Sequence, residues 1–162
     1  MRSPWAIFAV VFVTACSGSG PAPPVAEGFA LLRADDLPAA VQASGASMFT
    51  EINVGVDGVT MFVVDGATER SVTYASGKLG DSSPPAPIEG TPFDASRVRL
   101  DVGAELVKQV EQQFPGARVT AVALLEVPPN GLVWGLRSRS AKGGLLNLLF
   151  TPDGAPLSAV PT

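Results

Sequence analysis

The chain of 162 residues contains no histidine and a single cysteine, Cys16. Without imidazole, a Ser-His-Asp triad, a Cys-His dyad and histidine-ligated zinc are all excluded. One thiol also rules out an internal disulfide. The nucleophiles that remain are Ser or Thr beside Lys, or paired carboxylates. Ser76-Gly77-Lys78 and Ser140-Ala141-Lys142 bring a hydroxyl and an amine close in sequence. A Ser/Lys dyad requires a desolvated lysine with a lowered pKa, and both pairs stand beside glycines at expected turns, where a lysine is solvated. Asp57, Asp65 and Asp153 each precede Gly, which is turn chemistry. Asp35-Asp36 reads as a helix cap rather than as an acid/base pair or calcium ligands. No Asp-x-Asp-x-Asp-Gly loop and no P-loop-type glycine loop occurs. The expectation is a protein that is not an enzyme and uses no cofactor or metal. Arg137 and Arg139 share one parity of an expected strand, opposite to Trp134. They read as a solvated strand face and as the candidate contact for an acidic partner or a lipid head group.

The position of Cys16 is the most informative feature. Met1-Arg2 supplies a positive charge, Pro4 to Val13 (PWAIFAVVFV) is apolar throughout, and small residues follow. This is the pattern of a secretory signal, and the run falls short of the roughly 20 apolar residues that span a bilayer as a helix. Val13-Thr14-Ala15-Cys16 resembles the lipobox of bacterial lipoproteins. The resemblance rests on these four residues and on their place between the apolar run and a Gly/Ser/Pro tract. It implies that Cys16 receives a diacylglycerol, that the bond before it is cut, and that the mature chain is held on a membrane by acyl chains. Residues 1–15 would then be a signal peptide. Ser17 after the cysteine is not the Asp that signals inner-membrane retention. The expected site is the outer membrane facing the periplasm in a two-membrane cell, and otherwise the outer face of the cell membrane. Removing residues 1–15 takes away Arg2 and no acid, so the net charge falls from −4 to −5. Such a body is not attracted to anionic lipid, and with a pI near 4.7 it is not expected to bind nucleic acid.

Residues 16–27, with Ser17 to Pro24 reading SGSGPAPP, have linker composition. Over the whole chain, 46% apolar and 16% charged residues describe a sequence able to fold. Two similar units are expected, 28–92 and 93–162. In the first, Asp35-Asp36-Leu37-Pro38 starts a helix carrying Leu37, Ala40, Val41 and Ser44 on one face and stopping at Gly45. Ile52, Val54 and Val56 alternate as a strand, Asp57-Gly58 is a two-residue hairpin turn, Val59–Val64 returns, and Arg70–Ser76 is a third strand. Gly77–Gly90 is a connection. In the second unit Asp101 caps a helix with Val102, Leu106, Val107, Val110 and Phe114 at helical spacing. Strands follow at Arg118–Val127, Leu132–Ser140 and Leu145–Thr151, with Asn130-Gly131 as the matching turn and Pro152-Asp153-Gly154 as the end. Superposing the Gly turns places Ile52 with Leu125, Val54 with Val127, and Val59-Thr60-Met61 with Leu132-Val133-Trp134. The fold class is α+β: two tandem units, each a helix and a three-stranded antiparallel meander, forming one compact body.

This order of elements, from about Phe29 onward, resembles the small periplasmic modules typified by PepSY domains and beta-lactamase-inhibitor-like repeats. The resemblance carries over no binding residue. It implies a protein-binding or peptidase-modulating role. The strand Arg118–Val127 is apolar on both parities, as is Leu145–Phe150 apart from Asn147. A half-exposed sheet alternates, so either something covers both faces or one face meets a ligand or partner. Internal cover by the first unit, by Phe29–Leu32 or by the Pro156–Val160 tail is the favoured expectation. The functional expectation is a membrane-anchored envelope lipoprotein that binds a protein or peptide without catalysis. The alternative is a lipid or glycolipid carrier, which needs a cavity for acyl chains.

Overall fold

The computed structural model describes residues 33–140 and 143–161. The expected signal segment, Cys16, the linker tract, Phe29–Leu32 and Lys142 lie outside the described residues. A 3-10 turn, Ala34–Asp36, leads into α1 (Leu37–Ser44). Pro38 occupies its first turn, where a missing N–H costs no bond. Gly45 ends the helix with φ 66, a left-handed conformation that favours a residue without a Cβ.

The two acidic caps do not act as expected. Asp36 has φ −77 and ψ −11, and Asp101 has φ −64 and ψ −25; neither carboxylate makes a capping hydrogen bond. A capping residue sits in the β region so that its side chain folds back onto the exposed N–H groups. These two are already helical in the backbone. Their carboxylates instead meet cations: Asp36 lies 3.5 Å from Arg33, and Asp101 accepts from Arg99 at 2.6 Å. Asp35 lies 3.6 Å from Lys108.

Strands β1 (Met48–Gly55), β2 (Gly58–Asp65) and β3 (Thr68–Ala75) form an antiparallel meander. The first turn is Val56-Asp57, one residue earlier than expected, because Gly58 is already paired with Gly55. Gly58 has φ 134, and a Cβ there would stand 2.3 Å from the Tyr74 carbonyl oxygen. The Gly77–Gly90 stretch is not only a connection. It carries β4 (Lys78–Leu79) and β5 (Ala86–Pro87), which pair with opposite ends of β3. The chain then returns to the start of β1 through β6 (Phe93–Asp94). A 3-10 turn, Ala95–Arg97, precedes α2 (Val102–Gln113). Next come β7 (Arg118–Val127), β8 (Gly131–Arg139) and β9 (Leu145–Phe150). The expected tail is a further strand, β10 (Pro156–Pro161), paired with β9.

All ten strands belong to one antiparallel sheet, in the order β10-β9-β8-β7-β1-β2-β3-β4, with β5 on β3 and β6 on β1. The fold is mixed α+β and mostly sheet. Both helices lie on one face. The residues turned toward them form the core: Leu37 from α1, Ile52, Val54, Val59 and Met61 from the first meander, Leu106 and Val110 from α2, and Val122, Leu124, Trp134 and Leu136 from the second. Trp134 is 1% exposed and meets α2 at Gly103, where a Cβ would come within 3.0 Å of the indole ring. Its Nε1–H donates to the Pro152 carbonyl at 3.2 Å. One sheet edge is covered by β4 and β5. The other, β10, begins and ends in proline, which removes ladder donors and blunts an exposed edge.

The return from β5 to β6 passes close over Thr50, the extra residue where the β1–β2 register shifts between Phe49 and Glu51. A Cβ on Gly90 would lie 3.0 Å from the Thr50 Cβ. Beneath this passage the Thr50 hydroxyl donates to Glu69 Oε2 at 2.6 Å, with both residues buried. Thr50→Val removes that donor from a buried carboxylate. It is expected to lower stability by about 2 kcal/mol, as for hydrogen bonds to charged groups, measurable by urea denaturation.

Candidate functional site: the open face of the sheet

Because side chains alternate along a strand, the face turned away from the helices can be read directly from the register. One row crosses seven strands: Thr73, Thr60, Asn53, Ala123, Gly135, Leu149 and Ser158. A parallel row holds Ser71, Phe62, Glu51, Leu125 and Val133, and another holds Ala121, Arg137 and Asn147. The middle of this face is a shallow groove of about 440 Å3, lined by Glu51, Asn53, Ala121, Ala123, Gly135, Arg137, Asn147 and Leu149. Its depth comes from small side chains. Gly135 contributes none, and a Cβ there would sit 3.7 Å from Leu149 Cδ2 and 3.9 Å from Leu125 Cδ2, so two leucines wall a floor of Ala121, Ala123 and Gly135.

Among the described residues neither the first unit nor the Pro156–Val160 tail lies across this face as expected, and the third expected cover, Phe29–Leu32, lies outside the described residues. The helices take one face. The first half joins the second edge to edge through β1 and β7, not face to face. Residues Pro156–Pro161 extend the edge as β10 instead of lying across the sheet. The register shift between Val119 and Ala121 also divides one sequence parity between two faces. Val119 enters the core, while Ala121, Ala123 and Leu125 are half-buried on the open side.

Arg137 and Arg139 are both exposed on this open face. Among the described residues neither has an acidic partner within 4.0 Å. Arg139 stands directly opposite Arg118 in the β7–β8 ladder. Arg118 has an acidic neighbour, Glu111 of α2, at 3.7 Å. Glu111 also accepts the Val119 N–H at 3.2 Å. Sequence reasoning did not find Glu51, Asn53 or Asn147, which enter the groove only through the β7–β1 and β8–β9 pairings.

The described residues hold no cluster of three or more Asp, Glu or Cys able to bind a metal. The acids held below the ordinary carboxylate range lie outside the groove. Asp94 is lowered by hydrogen bonds from Ser96, and Asp101 by its hydrogen bond from Arg99. Their small, solvent-screened contribution to stability is present above the ordinary value and is lost as pH falls through the lowered one. Lys78 is exposed, as expected, although it opens β4 rather than lying in the turn. Of the pair at Ser140, Lys142 lies outside the described residues. A second hollow, between the C-terminal half of α2 and β9–β10, is lined by Val110, Phe114, Leu148 and Phe150 and holds only about 60 Å3. An apolar cavity of about 150 Å3 is what admits a benzene, so this slot does not house an acyl chain. No helix of the described residues is long and apolar enough to cross a membrane. No protein-family model, curated protein or solved structure matches the chain.

Proposed function

We propose that the chain is a bacterial envelope lipoprotein, anchored through acyl chains on Cys16, whose body binds a protein or peptide without catalysis on the open face of its sheet. The observation that carries the binding reading is the groove of about 440 Å3 in a face that is apolar at its centre and half-buried. A sheet face that only meets water carries polar residues at such positions. The lipid-carrier alternative has less support, since among the described residues the groove and a hollow of about 320 Å3 beside Phe93 and Leu132 are open and the slot beneath α2 is small.

The body itself reads as a tandem duplication. The strand order is mirrored about the β1–β7 pair, each half runs from helix to meander, and each first strand has a register shift near its start. The correspondence differs by one residue from the one obtained by superposing the glycine turns. The second hairpin loop, Pro128-Pro129-Asn130, is one residue longer than Val56-Asp57. Hence Leu124, not Leu125, shares with Ile52 the side turned toward the helices, while Met61 and Trp134 remain equivalent.

The test is a photo-crosslinking side chain at Ala123, in the groove floor, with Gln112 on the exposed side of α2 as control, both in the full-length chain in intact cells. A discrete protein adduct at position 123 and none at 112 is expected. Adducts with lipid alone would replace this reading with the carrier, and equal labelling at both positions would remove the groove from consideration.

A further inference from the structure

One end of the open face concentrates positive charge on an otherwise acidic molecule. Arg118 and Arg139 are direct cross-strand neighbours, and Arg137 follows two residues along β8. Like charges placed opposite one another in a ladder destabilise it. Glu111 meets Arg118 at 3.7 Å, while Arg137 and Arg139 have no acidic partner within 4.0 Å among the described residues. Arg137 lines the groove, and Asn147 stands opposite it on β9. The floor runs from there over Ala121, Ala123 and Gly135.

We propose that this end of the groove recognises an acidic, extended peptide segment of a partner protein, whose carboxylates engage Arg139 and Arg137 and whose apolar side chains continue over the small-residue floor. The spacing selects the occupant. Residues two apart on a strand are about 7 Å apart, so Arg137 and Arg139 match carboxylates at alternate positions of another extended chain. A single lipid phosphate does not present that repeat. Arginine suits the role because its planar fork binds a carboxylate through two parallel hydrogen bonds. This inference rests on the proposed binding face and names its partner's chemistry.

The experiment uses the full-length chain, purified in non-ionic detergent, and a fluorescent probe peptide, Asp-Ser-Asp-Ser-Val-Ser-Val-Ser, which turns two carboxylates and two valines to one side when extended. Fluorescence anisotropy is expected to show binding that weakens about tenfold in the double variant Arg137→Gln/Arg139→Gln, the scale of two exposed charge pairs. Binding should also weaken as salt is raised. A probe with Asn in place of Asp, and one with its two Asp adjacent, should bind more weakly than the original. The double variant should melt no lower than the parent, since it relieves repulsion with Arg118. Equal binding of all three probes, binding unaffected by the double substitution, or a melting temperature lowered by the substitutions would overturn the proposal. So would arginine-dependent binding to phosphatidylglycerol vesicles in the absence of peptide binding, or an arginine-dependent dimer in sedimentation. If position 123 still crosslinks to a protein while the arginines prove irrelevant, the binding face stands and only this assignment falls.

Discussion

Trp134→Ala is expected to destabilise the fold by about 3–5 kcal/mol, the range for removing a large buried aromatic. For a body of this size that corresponds to a fall in melting temperature of very roughly 10–20 °C. The indole is 1% exposed, fills the space that Gly103 leaves on α2, and donates to the Pro152 carbonyl. It therefore joins three parts of the second half: the sheet, the helix, and the turn that leads into β10. The loss includes both a cavity and an unpaired carbonyl. Trp134→Phe keeps most of the packing and forfeits the hydrogen bond, so it should cost much less. Gly103→Leu attacks the same contact from the helix and should be as damaging as the alanine variant, although leucine is a far better helix former than glycine. Thermal and urea unfolding followed by far-ultraviolet circular dichroism would measure all three. A loss under 1 kcal/mol for Trp134→Ala would show that the second half does not depend on this joint.

How much of this was legible beforehand follows from which interactions are local. The alternation of Ile52 and Val54 in β1 and the face carried by Val102, Leu106 and Val110 were readable because alternation and helical spacing are properties of one segment. The left-handed stop at Gly45 was readable for the same reason. Strand β10 was not: Pro156 and Pro161 argue against a strand, and only the edge of β9 makes that segment one. The two-residue strands β4 and β5 likewise exist because β3 offers them an unpaired edge. The caps misled because Asp36 and Asp101 could equally serve Arg33 and Arg99, a choice made by backbone angles that sequence does not display. The register shifts beside Thr50 and Thr120 carry no sequence mark, yet each changes which residues face the core. Arg137 and Arg139 could be assigned to a common face from parity alone because no register shift falls between them. Their relation to Arg118, Asn147 and the small-residue floor required the pairing of β8 with both neighbours.

Cys16→Ser is expected to have the largest effect on where the protein acts. Under the proposed function, the substitution removes the atom that carries the diacylglycerol, so a chain cleared of residues 1–15 should leave the membrane pellet for the soluble fraction. Each buried methylene contributes about 0.8 kcal/mol to membrane association, and one acyl chain alone gives only marginal binding, so stable anchoring needs a second. The described body has little to replace that energy. It presents no membrane-spanning helix, and the proposed mature chain carries a net charge of −5, which opposes an anionic surface. Arg118, Arg137 and Arg139 are local exceptions, too few to hold the molecule there at physiological salt. The released variant should keep the fold and, in solution, the peptide binding of the groove, because neither depends on residue 16. Fractionation of cells expressing the parent and the variant, with mass spectrometry of the mature N-terminus, would check this. A Cys16→Ser chain that stays in the membrane fraction although mass spectrometry shows residues 1–15 removed, or a parent that is cut but whose N-terminal residue is not an acylated Cys16, would mean that the body is held by its own surface. The open sheet face would then be the first place to look for the membrane contact.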